Sequence, residues 1–269
     1  MRTVAILNLK GGVGKTTTAV NLAAGLYHAG RRALLVDLDT QGSASAHLGG
    51  PDEGLSLGDV LLGDAQVQDA AVCVLPEPDG GAGEGSGSDD TDRLDLLPSG
   101  GVRLSMARTE LAARHSKNRL RKALEGAAGR YDVAVLDAAP GLDALFLNAL
   151  YAADLVVCPV ELQMASIVGL RGFREVLAFA EEEDGFTVPT LYLPTNDDGR
   201  VGESRALREV LVEQFGDYPA GLVLPSIRYS SALSKAVGAR QSVFEYAPAD
   251  RGAEDYARLA VTVLQHLTA

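Results

Sequence analysis

The sequence predicts an α/β chain built on a doubly wound, mostly parallel sheet, and three observations carry that prediction. Six short apolar runs alternate with stretches of helical spacing over most of the length. The runs are continuous rather than alternating in polarity, as strands covered by helices on both faces require. The first run passes through a glycine turn straight into a helix, the start of a right-handed strand–helix–strand crossover.

The predicted strands are Thr3–Leu7, Arg32–Asp39, Leu94–Ser99, Asp132–Ala138, Asp154–Val160 and Val188–Thr195. Between them, Lys15–Gly30, Arg119–Gly129, Leu145–Ala153, Val168–Glu183 and Arg205–Gly216 have helical spacing, with Gly30 placed as a helix-ending glycine. The stretch Tyr256–Ala269 is also helical in pattern. One segment breaks the order. Pro76–Arg93, "PEPDGGAGEGSGSDDTDR", has almost nothing to bury and is expected to be a disordered surface excursion. The strand pattern resumes directly after it, so residues 1–269 are expected to form a single domain.

Hydrophobic residues make up 46% of the chain and charged residues 22%, ample for a packed core. A formal net charge of −12 excludes a chain that coats nucleic acid over its whole surface and leaves room for a local basic face. Cys73 and Cys158 form no metal-ligand or CxxC spacing and read as reduced thiols of a cytoplasmic protein. The first residues run into a strand pattern rather than an export leader. No run approaches the roughly 18 apolar residues of a membrane span, and the C-terminal helix lacks the basic charge of a membrane-surface helix. A membrane partner is therefore not expected.

The chemistry centres on "LKGGVGKTT", residues 9–17. Glycines after a strand let successive backbone N–H groups turn inward at a helix N-terminus and form an anion nest. Gly11, Gly12, Val13, Gly14, Lys15, Thr16 and Thr17 would line it, with Lys15 on the β- and γ-phosphates of a nucleotide and the Thr16 hydroxyl on Mg²⁺. A dinucleotide-binding turn would read G-x-G-x-x-G without the Lys-Thr pair. "LLVDLD" places Asp37 and Asp39 near one strand end, and "VAVLDAAP" places Asp137 at another. Carboxylates there lie at the carboxyl edge of the sheet, where such folds bind ligands. Asp137 is the better metal partner and Asp39 the better candidate to orient an attacking water. Lys10 is a second lysine that an ordinary phosphate loop does not need.

The run "KGGVGKTT" resembles the deviant Walker A motif of the ParA/MinD group of P-loop ATPases, and more closely the ParA (Soj-type) partitioning ATPases. The resemblance continues through "VDLDTQGSAS", "YDVAVLDAAPGLDALFLNAL", "PVELQMASIVGL", "PTNDDGR" and "LPSIRYSSALSKA", so it spans nearly the whole chain. It implies a P-loop NTPase fold, ATP and Mg²⁺ as ligands, and slow ATP hydrolysis. Lys10 would be the signature lysine, reaching across a nucleotide-sandwich homodimer to the partner's phosphates. Lys10, Lys15 and Asp39 would then carry catalysis, and Thr16, Asp39 and Asp137 would surround the metal. A lysine supplied in trans stabilises the dimer only when γ-phosphate is present, so dimerisation reports nucleotide state. The alternative, that Lys10 supports its own loop, stays open.

The same resemblance implies nonspecific binding of double-stranded DNA, nucleoid association and a ParB-like adaptor. Arg200 and Arg228 match the DNA-contacting arginines, and Ser226–Phe244 holds Arg228, Lys235 and Arg240 with no acidic residue. Arg103–Lys122 is a second basic stretch, either a solvated helix face or an addition to the DNA surface. The chain departs from the family where "YSSALSKA" replaces a Glu-Ala-Pro triplet and "DAAP" replaces "DCPP". Two rival readings are a cargo-positioning ATPase with another adaptor and a protein-assembly switch that does not bind DNA.

Overall fold

The computed structural model describes residues 1–51, 53–75, 93–199, 202–216 and 222–268. The first half runs β1 (Arg2–Ile6), α1 (Lys15–His28), β2 (Ala33–Leu38), α2 (Ser43–His47), α3 (Leu57–Leu62), α4 (Val67–Ala70), β3 (Val72–Leu75) and β4 (Leu94–Leu97). Next come α5 (Val102–Ala113), α6 (Arg119–Glu125), β5 (Val133–Ala138), α7 (Ala144–Ala152), β6 (Leu155–Glu161) and α8 (Met164–Asp184). The remainder is β7 (Thr190–Thr195), α9 (Gly202–Phe215), β8 (Leu222–Val223), α10 (Ser231–Ala239), α11 (Val243–Tyr246) and α12 (Arg251–Thr268).

The strands form one sheet in the order β3-β4-β2-β5-β1-β6-β7-β8. Every neighbouring pair is parallel except β3 and β4. The chain leaves β1 toward β2 on one side and crosses from β5 to β6 on the other. The carboxyl ends of β1, β2 and β5 therefore border the point where the winding reverses, the ligand crevice of such sheets. All six predicted strands are present, with ends displaced by one or two residues. β3 and β8 were not predicted: β3 is half exposed and β8 is two residues long, so neither leaves a buried apolar run to read.

Alternation along each strand divides the core into two layers. Leu34, Val36, Leu38, Ala134, Leu136 and Ala138 face α3 to α9 on one side. Val4, Ile6, Ala33, Leu35, Val133 and Val135 face α1, α10, α11 and α12 on the other. α1 is sandwiched between the sheet and α12, and Gly25 permits the approach. A Cβ there would stand 3.1 Å from Ala260 Cβ and 3.3 Å from the Tyr256 carbonyl oxygen. Gly30 ends α1 in the left-handed conformation, φ 73°, as the sequence predicts. The Gly-rich excursion lies outside the described residues apart from Arg93, whose guanidinium pairs with the buried Asp95. Both cysteines are free, Cys73 exposed and Cys158 buried. Among the described residues no helix is long and apolar enough to cross a membrane.

Candidate nucleotide-binding site

The turn between β1 and α1 is shaped by two left-handed glycines, Gly12 at φ 76° and Gly14 at φ 87°. A side chain at either position would strain the loop. Gly14 is the N-cap of α1 and supplies no side-chain cap, so the first-turn N–H groups stay available to an anion. The loop is buttressed from neighbouring strands. Asn8 Nδ2 donates to the Pro159 carbonyl at 2.8 Å and its Oδ1 accepts from the Lys10 N–H at 2.9 Å. Thr195 Oγ1, at the end of β7, donates to the Val13 carbonyl at 3.0 Å. Lys15 is 7% exposed, and its Nζ donates to the Lys10 carbonyl at 2.7 Å inside the loop. Burial lowers its pKa, partly opposed by the nearby Asp137 and Asp39 carboxyl groups.

The carboxylates converge because of strand register. Asp37 on β2 pairs with Asp137 on β5, and Asp137 pairs in turn with Ile6 of β1. Both aspartates therefore project to the α1 side at the carboxyl edge, and both are fully buried. Asp37 is satisfied: its carboxylate accepts from the Ser45 N–H at 2.8 Å, the Ser45 hydroxyl at 2.7 Å and the Asp39 N–H at 3.0 Å. Asp137 is not, since neither of its oxygens has a hydrogen-bond partner of good geometry. Desolvation and the charge of Asp37 push the Asp137 pKa well above its usual range, and the nearby Thr16 hydroxyl and Lys15 oppose this only in part. Asp39 lies just beyond β2 in a turn of its own making, accepting from the Gln41 N–H and the Ser43 hydroxyl, each at 2.9 Å.

Gly11, Gly12, Val13, Gly14, Lys15, Thr16, Thr17, Asp39 and Asp137 are thus brought to one edge of the sheet. Lys10 sits at the mouth of the loop, and its Nζ donates to Ser166 Oγ at 2.8 Å on the first turn of α8. Beside the loop opens a cleft of about 230 Å³, lined among others by Gly14, Thr17, Glu161, Asn196, Arg228 and Tyr229. Sequence reasoning did not single out Asn8, Ser45, Ser166, Thr195 or Asn196, because their roles come from contacts between distant segments. Asp37 was visible at its strand end, but only the register shows that it faces Asp137.

Of the described residues proposed for DNA, Arg228 borders the cleft beside the loop and the others do not line it. Lys235 and Arg240 are exposed on and just after α10. Arg228 is held: its guanidinium forks onto the buried Asp255 and reaches Glu254, the shortest contacts being 2.8 and 2.6 Å. Arg200 lies outside the described residues. In the stretch Arg103–Lys122, most cations are neutralised locally. Arg103 pairs with Asp59 and Asp64, Arg108 with Asp143, Arg114 with Glu110, Lys117 with Asp184 and Arg121 with Glu125. That pattern is a solvated helix face.

A divalent cation fits at Asp137. Two buried carboxylate oxygens without partners, next to a threonine hydroxyl at the start of α1, form an incomplete donor set that a cation would complete. Among the described residues no group of three or more His, Cys, Asp or Glu side chains forms a ready cage. This suits Mg²⁺, which keeps waters and shares its ligands with phosphate oxygens.

A family described as an AAA domain matches residues 1–185. The sporulation initiation inhibitor protein Soj of Bacillus subtilis is 34% identical over 266 residues, 97% of each chain. The chromosome-partitioning ATPase Soj of Thermus thermophilus is 35% identical over 272 residues, covering 98% of this chain and 96% of its own. Among solved structures, the cobyrinic acid a,c-diamide synthase of Mycobacterium smegmatis with a bound ATP analogue and magnesium superposes with a TM-score of 0.78. It is 29% identical and covers 100% of this chain and 96% of its own. With the glycine cradle, the second lysine and the strand-end aspartates in place over the full length of these matches, the chain belongs to the ParA/Soj family of ATPases.

Proposed function

We propose that the chain is an Mg²⁺-dependent ATPase that works as a DNA-segregation switch. ATP closes a homodimer, the dimer holds double-stranded DNA without sequence preference, and a ParB-like partner stimulates hydrolysis and release. The observation that carries the reading is Asp137, buried with both oxygens unpartnered beside an uncapped glycine nest and a buried lysine.

Each residue has a task. The N–H groups of Gly12 to Thr17 bind phosphate oxygens, and Lys15, once released from the Lys10 carbonyl, neutralises them. Thr16 and Asp137 would hold Mg²⁺, which would neutralise charge developing on the β- and γ-phosphates. Asp39 positions the attacking water, with its carboxylate aligned by Gln41 and Ser43. The adjoining cleft, with Asn196 and Glu161 joined at 3.2 Å, offers polar partners for the nucleoside. Lys10 acts across the dimer. Apolar side chains exposed after the strand ends support such pairing: Leu142 after β5, Val102 and Met106 on α5, and Met164 and Val168 on α8.

The test is DNA retardation with a non-hydrolysable ATP analogue over a salt series. Binding should require nucleotide and fall steeply with salt. Lys235→Glu and Arg240→Glu should each weaken it. Arg228→Glu is a poorer probe, because it would also set a carboxylate against the buried Asp255, leaving it the weaker 3.4 Å contact from Arg258. Absence of binding even at low salt would overturn the reading. The alternative of a protein-assembly switch draws on the net charge of −12 and the local pairing of the Arg103–Arg121 cations. It predicts that null result.

A further inference from the structure

Every polar group of Lys10 is engaged within its own chain. Its N–H donates to Asn8 Oδ1, its carbonyl accepts from Lys15 Nζ, and its ammonium donates to Ser166 Oγ at 2.8 Å. Ser166 is 1% exposed, so the lysine is drawn inward against α8 rather than extended from the loop. In this structure the ammonium is committed to a buried hydroxyl at the root of α8, and turning it out toward another subunit would break that bond.

We propose that Ser166 is a latch: a positioning residue that holds Lys10 inside its own subunit until pairing around nucleotide offers the ammonium a phosphate. This rests on the reading that Lys10 acts across the dimer. The chemistry of the partner suits the task. A carboxylate at position 166 would trap the lysine by charge, whereas a neutral hydroxyl gives a hydrogen bond that a phosphate oxygen outcompetes. Met164 and Val168, exposed on the same turns of α8, place the latch under the surface a second copy would cover.

In a two-fold dimer both latches must open, so the penalty per chain enters the dimer constant twice. A single hydrogen bond to a half-buried ammonium corresponds to a factor of about five per chain, and hence about 25-fold for the pair. The test is sedimentation velocity of the full chain in a saturating non-hydrolysable ATP analogue. Ser166→Ala should tighten the dimer about 25-fold, while Ser166→Thr, which keeps the hydroxyl, should stay near the native value. ADP affinity should be unchanged in Ser166→Ala, and the thermal midpoint of the nucleotide-free chain should fall by no more than ~2–4 °C, the loss of that one bond, separating the latch from a packing role. If Ser166→Ala dimerises as the native chain does, or more weakly, while Lys10→Ala abolishes the dimer, the latch is overturned and the trans-lysine reading stands. If Lys10→Ala dimerises normally, that reading falls and the latch with it.

Discussion

Asp37 and Asp137 stand side by side at one register of adjacent parallel strands, both fully buried, yet only Asp37 has well-formed hydrogen bonds, Asp137 having no more than the nearby Thr16 hydroxyl. The arrangement disfavours the charged form of Asp137 until a cation relieves it. Asp137→Asn should therefore leave the nucleotide-free chain as stable as the native one, or more stable by ~1–2 kcal/mol. Magnesium-dependent phosphate release should fall at least about 100-fold. Thermal melts without ligand, alongside a phosphate-release assay, read both. A large loss of stability in the free chain would show that Asp137 is structurally satisfied after all.

Asp39 differs in that its carboxylate is tied only to its own turn. Asp39→Ala should slow hydrolysis by about 100-fold while ATP-driven dimerisation persists. Ser43→Ala removes one of the two bonds that aim the carboxylate and should cost about tenfold in turnover. Light scattering with ATP follows the dimer. Loss of the dimer in Asp39→Ala would reassign the residue to nucleotide or partner binding.

A separate buried group tests the frame that holds the site. Asp95 on β4 accepts the Tyr131 hydroxyl at 2.6 Å and pairs with Arg93. Removing the carboxylate leaves both partners stranded, so Asp95→Ala should destabilise the chain by ~3–5 kcal/mol. Tyr131→Phe should cost ~1–3 kcal/mol by depriving the carboxylate of one donor. Urea unfolding measures both, and equal effects would mean that the arginine adds nothing.

His47, at the end of α2, is buried and donates through Nε2 to the Gln241 carbonyl at 3.1 Å. Burial holds its pKa below the ordinary value of 6.5. The unfolded chain therefore takes up a proton that the native chain resists. The resulting stability is complete above about pH 6.5 and is lost as pH falls toward the native value. His47→Gln should flatten the decline in urea midpoint between about pH 7 and 5. An unchanged slope would place the titrating group elsewhere.

The central sheet was legible because parallel strands buried on both faces write themselves as unbroken apolar runs, and β1, β2, β5, β6 and β7 all do. The phosphate loop was legible because its glycines and its Lys-Thr pair are contiguous. What escaped was long-range. The proximity of Asp37 to Asp137 needs the pairing of β2 with β5. The Asn8–Pro159, Thr195–Val13 and Lys10–Ser166 contacts each join segments more than 150 residues apart. Arg228 stands in a run without acidic residues, and its anchor Asp255 lies on α12, beyond that run, so the pairing is not legible locally.

The two ends of the sheet carry a consequence for assembly. At one end β3 runs against β4 with a register break between Cys73 and Leu75, and at the other β8 pairs with β7 over only two residues. Among the described residues neither margin offers a long, flat row of unpaired N–H and C=O groups for another chain to extend. These margins disfavour growth of strand upon strand. Association is left to the helical faces and to the carboxyl rim of the sheet, where a bound nucleotide can govern it.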